Sequence, residues 1–454
     1  MAPVREIINP STEEVIAEVP SLGVAETDAA IGRAVQGLDH WRRLAPAERA
    51  RLLRAFGAKV YEHNEELARL EVRNSGHTIS NARWEANNVG DVITYYAGSV
   101  ERLMGRQIPV PGGVDITFKE PIGVVGVIVP WNFPMPIAGW GFAPALAAGC
   151  SVVLKPAEIT PLTAIRIAEL AYEAGIPEEA FQVLTGSGRV VGETLVTDPR
   201  VRKIVFTGST EVGIHIQKLA ADHLKAVTLE LGGKSANVVF ADADLDRAAA
   251  TAPYSVFDNA GQDCCARSRL LVQESAYDEF MNRFEAAVKG VKVEDPSLDS
   301  SEMGPLISAG HRRTVESFVD QDLVLFRGSC PTGSGYWYPP TVIEVKDPSH
   351  RSVREEIFGP VVTVQTFRDE EEAIRMANDS DYGLSGSIWT SNLGRGLRVA
   401  RGIETGALSV NSHSSVRYWT PFGGYKKSGV GRELGPDATD AFCETKNVFI
   451  NTEI

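Results

Sequence analysis

Two residues, Cys264 and Glu230, have the types and positions of a nucleophile and a base. Cys264 lies in the loop GQDCC (261–265), and a loop position favours a reactive thiol over the small buried hydrophobe that a free cysteine often is. Glu230 ends an apolar alternating run directly before two glycines, so it is either a general base or a satisfied polar residue. No lysine adjoins Cys264, so the local sequence does not show what would lower its pKa. Catalysis by this pair is one interpretation, and two structural residues are the other.

Three further polar segments follow predicted strands, where ligands bind in open α/β sheets. The segment GSTEVG (208–213) opens a predicted helix, and helix N-terminal amides favour a diphosphate. It matches neither G-x-G-x-x-G nor the P-loop pattern, so a structural turn is an equal interpretation. Lys155 and Glu158 would supply a cation and an acceptor for ribose hydroxyls, or they would form a surface ion pair. The third segment is WNFP (131–134).

The elements that must position these residues begin with helices and a β-α-β unit. Apolar residues spaced three or four apart predict helices over 27–37 and 46–73, and the first hundred residues are expected to be helical. Residues 121–154 carry no charge, yet prolines and glycines interrupt them. We therefore interpret them as a strand over 124–129, a helix over 137–148 and a strand over 152–154, and not as a membrane span.

Strands and helices then alternate along the rest of the chain. A helix with Thr160 as its N-cap and Pro161 at its first position precedes a predicted strand over 181–184. Further helices separate that strand from predicted strands over 204–206 and 226–231. The pattern repeats from Leu245 onward. Such alternation predicts an α/β protein with doubly wound parallel sheets in two lobes. A hairpin around PGG (111–113) and a tail would lie outside both lobes.

Composition excludes several classes of protein. The formal net charge is −14, which argues against nucleic-acid binding because that binding relies on cations that neutralise phosphates. Five cysteines, two of them adjacent and none in a C-x-x-C pair, do not form a disulfide framework or a zinc ribbon. The N-terminus has neither an apolar run nor a cleavage site. We expect a reduced, cytoplasmic protein with no metal and no membrane segment.

Taken together, seven segments in the same order along the chain closely resemble aldehyde dehydrogenases. They are VPWNFP (129–134), LKPAEITPLTA (154–164), FTGSTEVG (206–213), LELGGKS (229–235), GQDCCARSR (261–269), EEIFGPV (355–361) and PFGGYKKSGVGRELG (421–435).

This resemblance implies the aldehyde dehydrogenase fold, with two doubly wound Rossmann-like lobes and a small β oligomerisation element. The NAD-binding domain would comprise 1–102 and 122–233, the catalytic domain 234–438, and the bridging element 103–121 and 439–454. The tail strand would join a neighbouring subunit's sheet in a homodimer or homotetramer. Relative to the family, the chain is short at its N-terminus and compressed over 315–336, where we expect altered surface or assembly contacts.

The resemblance also assigns the chemistry. Cys264 would be the nucleophile that adds to the aldehyde and forms a thiohemiacetal, which loses hydride to a nicotinamide and becomes a thioester. Glu230 would be the general base that activates water for hydrolysis of the thioester. The side-chain amide of Asn132 and the backbone N–H of Cys264 would stabilise the oxyanion. An intact Glu230 argues against the branch that transfers the acyl group to coenzyme A.

The cofactor implied is NAD. A carboxylate at Glu158 would repel a 2′-phosphate, so NAD is favoured, although NADP is possible. The residues that the resemblance places around the cofactor are Trp131, Lys155, Glu158, Gly208, Ser209, Gly213, Leu231, Glu356 and Phe358.

The substrate residues implied are mostly apolar, which favours a hydrophobic aliphatic or aromatic aldehyde. As alternatives, Asp263 would attract an amino or betaine aldehyde and Arg417 a semialdehyde. Two other classes stay open: a cysteine hydrolase that uses a histidine, and a catalytically silent relative with a structural role. The substrate residues are Phe133, Trp140, Asp263, Cys265 and Val416.

Overall fold

The chain folds around parallel strands that are linked by helices. The computed structural model describes residues 3–414 and 416–453. Its strands are β1 (Val4–Ile8), β2 (Val15–Pro20), β3 (Gln107–Val110), β4 (Gly113–Pro121), β5 (Val124–Ile128), β6 (Ser151–Lys155), β7 (Phe181–Val183), β8 (Val201–Thr207), β9 (Ala226–Glu230), β10 (Ala236–Val239), β11 (Arg269–Gln273), β12 (Val324–Arg327), β13 (Thr341–Glu344), β14 (Val361–Phe367), β15 (Tyr382–Gly383), β16 (Ser385–Trp389), β17 (Ala407–Val410), β18 (Tyr425–Lys426), β19 (Gly429–Val430) and β20 (Cys443–Asn451). Its α-helices are α1 (Val24–Trp41), α2 (Pro46–Glu62), α3 (Asn64–Ser75), α4 (Ile79–Ala97), α5 (Pro134–Ala148), α6 (Leu162–Glu173), α7 (Glu193–Thr197), α8 (Thr210–Ala221), α9 (Leu245–Phe257), α10 (Tyr277–Gly290), α11 (Ala309–Glu316), α12 (Arg351–Arg354), α13 (Glu370–Asn378) and α14 (Leu393–Gly402).

A six-stranded sheet has the order β19-β9-β8-β5-β6-β7, and every pair in it is parallel except β19 with β9. Strands β5 and β6 are buried along their whole length, because helices cover a parallel sheet on both faces. The α/β prediction and the β-α-β interpretation of the uncharged segment are confirmed. The carboxyl ends of β5, β6, β8 and β9 lie at one edge, which brings the segments that follow them together.

A seven-stranded sheet has the order β12-β13-β14-β11-β10-β16-β17, with β12 antiparallel to β13 and the other pairs parallel. Its strand β11 follows the loop that contains Cys264. The six-stranded sheet takes its edge strand β19 from residues that follow the whole seven-stranded sheet in sequence. The two sheets are therefore interlocked along the chain, with Glu230 ending a strand of one and Cys264 preceding a strand of the other.

A three-stranded antiparallel sheet has the order β20-β4-β3. The predicted hairpin is present, with its turn at Pro111 and Gly112 between β3 and β4. Strand β20 pairs with β4 of the same chain over its full length, from Cys443 opposite Pro121 to Asn451 opposite Gly113. Its outer residues Val448, Phe449 and Ile450 are exposed. One edge of β20 pairs with β4, and the other edge is unpaired within the chain among the described residues. That the tail joins a neighbouring subunit's sheet stays a prediction, and it concerns this unpaired edge.

The N-terminal segment departs from the helices that were predicted. Strands β1 and β2 form an antiparallel hairpin before α1. The prediction overlooked the Val and Ile residues that favour this strand pair. The helix predicted over 46–73 is two helices, α2 and α3, which meet at His63. The break was not visible in the sequence because no glycine or proline marks it.

The start of α6 also differs from the prediction. The N-cap of α6 is Pro161, and the helix begins at Leu162. Thr160 is fully buried, and its hydroxyl has no hydrogen-bond partner among the described residues. The expected Thr160 cap is therefore wrong by one residue. Over the described part of the chain, no helix is both long enough and apolar enough to cross a membrane.

Candidate active site

Two cavities meet at Cys264 and Thr207, which line both of them. The larger cavity has a volume of about 290 Å³ and the smaller one about 230 Å³. The wall of the larger cavity consists of Asn81, Trp84, Phe133, Pro136, Ile137, Trp140, Thr207, Glu230, Tyr254, Asp258, Asp263, Cys264, Cys265, Val416 and Phe422. The wall of the smaller cavity consists of Pro130, Trp131, Asn132, Thr207, Gly208, Ser209, Leu231, Gly232, Cys264, Glu356 and Phe358. A molecule in either cavity would contact the same thiol.

The loop before Cys264 has an unusual backbone. Asn259, Ala260 and Gly261 all have positive φ values, of 50°, 54° and 69°. A Cβ at Gly261 would lie 2.1 Å from the carbonyl oxygen of Gly359, so only glycine fits there. The side chain of Gln262 fixes the loop, because its Oε1 accepts from the Ile307 N–H at 2.8 Å and its Nε2 donates to the Asn259 carbonyl at 3.0 Å. These bonds hold a conformation that L-residues adopt at a cost.

Asn132 is tied to this loop from the other lobe. Its Nδ2 donates to the carbonyl oxygen of Gln262 at 2.9 Å. In return, Nδ2 of Asn259 donates to the carbonyl oxygen of Asn132 at 2.8 Å. Asn132 is buried, and it lines the smaller cavity together with Cys264. The two reciprocal bonds place a side-chain amide and a thiol at one cavity.

Cys264 belongs to a tight group with its two neighbours. The carboxyl oxygen of Asp263 and the sulfur atoms of Cys264 and Cys265 all lie within 4.8 Å of one another. Among the described residues, this is the one group of acidic, cysteine or histidine side chains that is close enough together to ligate a metal ion. The Cys265 N–H donates to Oδ1 of Asp263 at 2.8 Å. A hydrogen bond with the Cys265 side chain, followed by burial, raises the pKa of Cys264 well above its ordinary value. The thiol is therefore protonated at neutral pH until a base removes its proton.

Glu230 is a buried carboxyl at the wall of the larger cavity. Glu230 is 2% exposed, and neither of its carboxyl oxygens has a hydrogen-bond partner among the described residues. A Cβ at Gly423 would lie 2.8 Å from Oε1 of Glu230, so glycine leaves room for the carboxyl there. Burial, and then the charge of Glu433, raises the pKa of Glu230 well above its ordinary value. Burial also raises the pKa of Glu433 to about 8.

The smaller cavity combines a helix N-terminus with aromatic and acidic groups. Ser209 is the N-cap of α8, and its hydroxyl accepts from the Val212 N–H at 3.4 Å. Glu356 accepts from the Gly233 N–H at 2.8 Å, and burial raises its pKa to about 7. The rings of Trp131 and Phe358 meet edge to face with centroids 5.3 Å apart. This wall can hold a flat ring beside Cys264 and an anion at the helix end.

Three residues predicted at the cofactor are not on this wall. Lys155 is buried, its Nζ donates to the carbonyl oxygen of Pro156 at 2.8 Å, and burial lowers its pKa to about 8. Glu158 accepts from the Gly188 N–H at 3.3 Å. Gly213 faces Leu231, whose Cδ2 would lie 2.4 Å from an added Cβ. Lys155 ends β6 and Gly213 lies in α8, so both flank the same sheet edge.

The larger cavity contains all the predicted substrate residues, namely Phe133, Trp140, Asp263, Cys265 and Val416. Ser415, in the loop 414–419, lies outside the described residues. Arg417 does not contribute to the wall. The sequence-based prediction missed Asn81, Trp84, Pro136, Tyr254, Asp258 and Phe422.

The sequence offered a clue to some of these missed residues, namely proximity to a family segment, and no clue to others. Asp258 and Phe422 stand inside or beside the family segments around Gly261 and Pro421, so their positions were available. Asn81 and Trp84 come from α4, far from every motif, and only the packing of that helix brings them to the cavity.

Two mainly parallel sheets with a half-buried thiol between two cavities define the class of two-lobed α/β proteins to which the chain belongs. The model of the aldehyde dehydrogenase family matches residues 3–448, and the chain belongs to that family.

Named relatives and a solved structure agree with this assignment. An aminoaldehyde dehydrogenase of Pisum sativum is 41% identical over 460 residues, which cover 97% of this chain and 91% of that protein. A betaine aldehyde dehydrogenase of Bacillus subtilis is 39% identical over 463 residues, which cover 99% of this chain and 94% of that protein. The crystal structure of a betaine aldehyde dehydrogenase from Staphylococcus aureus in complex with NAD+ has a TM-score of 0.96 and 39% identity, with coverage of 100% of this chain and 92% of that chain.

Proposed function

We propose that the protein oxidises an aldehyde that carries a cationic nitrogen to the carboxylic acid, with NAD as the cofactor. One observation carries the substrate class. The cavity that opens on Cys264 is lined by aromatic rings and by the carboxyls of Asp258 and Asp263, and among the described residues no lysine or arginine lines it. Aromatic faces and carboxylates both attract a cation. Relatives named for betaine aldehyde and aminoaldehyde support this choice over an uncharged hydrophobic aldehyde.

In this proposal Cys264 is the nucleophile. An aldehyde carbon has no leaving group until a nucleophile has added, so the sulfur must first form a thiohemiacetal. Because the pKa of Cys264 is raised, a base must take its proton, and Glu230 lines the same cavity without another partner. Loss of hydride then leaves a thioester on Cys264.

Hydrolysis of the thioester assigns Glu230 a second task. Once the proton taken from Cys264 has passed to solvent, the carboxylate would take a proton from water as the water oxygen attacks the thioester carbon. The C–S bond then breaks, and the Cys264 sulfur leaves and regains a proton from Glu230. Burial suits this task, since a base with a raised pKa binds the proton more strongly. Asn132 is the oxyanion donor, because its amide has a second N–H besides the one that donates to Gln262.

The smaller cavity fits NAD. When bound, the nicotinamide supplies the acceptor for the hydride. Trp131, Leu231, Glu356 and Phe358 would hold the ring end, and the N-terminus of α8 with Gly208 and Ser209 would hold the diphosphate. The buried hydroxyl of Thr207 has no partner among the described residues and lines both cavities, so it is available to a ligand.

Lys155 and Glu158 would contact the adenosine ribose beyond the smaller cavity. Nζ of Lys155 donates only one of its three hydrogens to Pro156, which leaves donors for ribose hydroxyls. The Glu158 carboxylate would repel the 2′-phosphate of NADP, which favours NAD. Gly213 would act indirectly, because its missing side chain lets α8 pack against Leu231.

Assembly and domain roles extend the same proposal. Residues 1–102 and 122–233 would bind the cofactor, 234–438 would carry the catalytic loop, and 103–121 with 439–454 would join subunits. The exposed outer edge of β20 and the edge strand β17 of the seven-stranded sheet would pair in a homodimer or homotetramer, since an unpaired edge with apolar residues favours association. A reduced cytoplasm would suit the free Cys264 thiol.

Initial rates of NADH formation test the proposal. We expect NADH with amino and trimethylammonio aldehydes, with higher kcat/KM than for uncharged aldehydes of the same length, and with NAD preferred over NADP. A higher kcat/KM for the uncharged aldehydes would contradict the substrate class. Cys264→Ala should abolish NADH formation while its neighbour control, Cys265→Ala, stays active. The reverse result would move the nucleophile to Cys265, and no NADH from any aldehyde would indicate a catalytically silent relative.

A further inference from the structure

Asp258 is a carboxylate held in place at the wall of the larger cavity. It follows the last residue of α9 and begins the loop that leads to Cys264. Nδ2 of Asn81 makes a short hydrogen bond to its Oδ1, and the Asn259 N–H donates to the same oxygen at 3.0 Å. Both of these donors converge on one oxygen, and the Tyr254 side chain also hydrogen-bonds to the carboxyl. Each carboxylate oxygen has more than one acceptor site, so the group can still accept a hydrogen bond from a ligand in the cavity.

Among the described residues, the wall of the cavity contains no lysine, arginine or histidine that could act as a cation for this carboxylate. Burial raises the pKa of Asp258 to about 6, and the neighbouring charge of Asp263 adds to the effect. His77 is the nearby cation, but its Nδ1 lies 2.5 Å from Oε1 of Glu85, with which it is paired. The charge of Asp258 also raises the pKa of Tyr254, so that phenol stays neutral beside it. A positively charged ligand is therefore the missing partner at this end of the cavity.

Asp258 and Asp263 are neighbouring carboxyls on the wall, but they have different contacts. Asp263 accepts from the Cys265 N–H and belongs to the tight group around Cys264, so it lies beside the reacting carbon. Asp258 shares its part of the wall with Trp84 and Tyr254, which are 49% and 65% exposed, whereas Glu230 is 2% exposed. The side of the wall with Trp84 and Tyr254 is therefore the mouth of the cavity, and Glu230 lies in its interior. A substrate whose aldehyde group lies at Cys264 can direct its charged nitrogen toward Asp258 and this mouth.

We propose that Asp258 binds the ammonium group of an ω-amino aldehyde through an N–H···O bond and so selects substrates whose nitrogen carries hydrogen over their trimethylammonio analogues. This inference rests on the proposed function and refines its substrate class. A primary or secondary ammonium donates directly to a carboxylate, and such charge-assisted bonds are stronger than neutral ones. A trimethylammonio group has no hydrogen to donate and relies on aromatic faces around it. At the mouth, Trp84 and Tyr254 are too exposed to enclose such a group.

Three aldehydes of equal chain length test this selection in the full-length protein: an ω-amino aldehyde, its N,N,N-trimethyl analogue and an uncharged alkyl aldehyde. We expect the highest kcat/KM for the amino aldehyde. In Asp258→Asn its kcat/KM should fall about 10- to 100-fold, mainly through KM, as expected for loss of a hydrogen bond to a charged group. The uncharged aldehyde should change about 2-fold or less, because the loop contacts through Oδ1 are retained by the amide oxygen.

Asp246→Asn is the matched control. It removes the same charge from the first turn of α9, the helix that Asp258 follows, but Asp246 is exposed and pairs with Arg283, and it does not line the cavity. It should leave all three substrates unchanged. If wild-type protein oxidises the trimethyl analogue at least as well as the amino aldehyde, the selection by Asp258 is wrong although the cationic substrate class stands. If the uncharged aldehyde is best, the proposed function itself fails. An equal loss for all three aldehydes in Asp258→Asn would show that the residue only supports the loop.

Discussion

The side-chain amide of Asn132 donates to the backbone carbonyl oxygen of Gln262 at 2.9 Å, so the turn after β5 is bonded to the loop that carries Cys264. Asn259 closes the connection by donating to the carbonyl oxygen of Asn132 at 2.8 Å. The donor of the proposed oxyanion site and the proposed nucleophile are thus held by one network, although Asn132 follows a strand of one sheet and Cys264 precedes a strand of the other. Pre-organisation of this kind lowers the cost of reorienting donors during the reaction.

Replacement of Asn132 tests this arrangement. Asn132→Ala should lower kcat about 10²- to 10³-fold, because one oxyanion donor is lost, with little change in KM. Steady-state kinetics with the amino aldehyde measure both constants. Asn132→Asp is the companion variant, since it keeps the shape but places a negative charge near the developing oxyanion. An unchanged kcat in Asn132→Ala would contradict the oxyanion role.

Replacement of Glu230 should separate the two halves of the reaction. In Glu230→Gln, we expect one burst of NADH per active site followed by slow turnover, because the thioester forms but water is not activated. Rapid-quench or stopped-flow measurement of NADH gives the burst amplitude. Loss of the burst as well would indicate that Glu230 is also required to deprotonate Cys264. Full steady-state turnover would remove Glu230 from the mechanism.

The pair of buried carboxyls predicts a pH dependence. Burial and the charge of Glu433 both raise the pKa of Glu230, and the base works only when ionised, so turnover should rise with pH through this raised pKa. Glu433→Gln removes one cause of the raised pKa and should move the acidic limb of the kcat profile to lower pH. The exposed Glu444→Gln variant should leave the limb where it is. A shift of the acidic limb to higher pH in Glu433→Gln would contradict the effect of the Glu433 charge on the pKa of Glu230.

The buried pair of His77 and Glu85 predicts how stability depends on pH. Burial lowers the pKa of His77, but the charge and hydrogen bond of Glu85, together with the charges of Glu71 and Asp258, outweigh it and raise the pKa to about 9. Burial raises the pKa of Glu85 to about 7. Between about pH 4.5 and 9 the folded pair therefore binds more protons than the unfolded chain, whose groups titrate near their ordinary values. Its contribution to the free energy of unfolding is largest at the acidic end and is lost as pH rises through about 9.

His77→Gln should remove the part of this dependence that comes from the histidine and destabilise the protein by about 3–5 kcal/mol at neutral pH, since it leaves Glu85 buried without a partner. Denaturant unfolding at several pH values measures the difference between wild type and variant. The double variant His77→Gln with Glu85→Gln should recover part of the loss. A difference that grows with pH would contradict the assignment.

The sequence was sufficient for much of the site but not for all of it. Asn132 and Glu230 stand in segments at the carboxyl ends of predicted strands, and Cys264 stands in a loop segment of the same family pattern. The structure brings all three to adjoining cavities. Burial of the uncharged β-α-β unit around α5 could also be predicted from the sequence, because charge and proline content are local properties. The raised pKa of the Cys264 thiol could not be predicted from the sequence, since it depends on a hydrogen bond with Cys265 and on burial by distant elements.

Residues that reach the site by long-range packing escaped prediction for the same reason. Asn81 and Trp84 lie in α4, whose apolar spacing shows that one face is buried but not what covers it. Asp258 was visible as an acidic residue near the family loop, but only the fold shows that it faces the cavity and is held by Asn81. The hairpin of β1 and β2 was overlooked although its residues favour strands, and only its pairing distinguishes it from a loop.

The position of β19 has a consequence for synthesis of the chain. The six-stranded sheet lacks this edge strand until residues 429–430 have left the ribosome, long after β9. At a synthesis rate of about 5–20 residues per second, the edge of β9 stays unpaired for on the order of tens of seconds. Glu230 ends that strand, and the glycines that enclose it, Gly423 and Gly429, arrive equally late. A nascent chain therefore exposes an aggregation-prone edge beside an unfinished site, and a truncation before residue 429 should yield a product that depends on chaperones and has no activity.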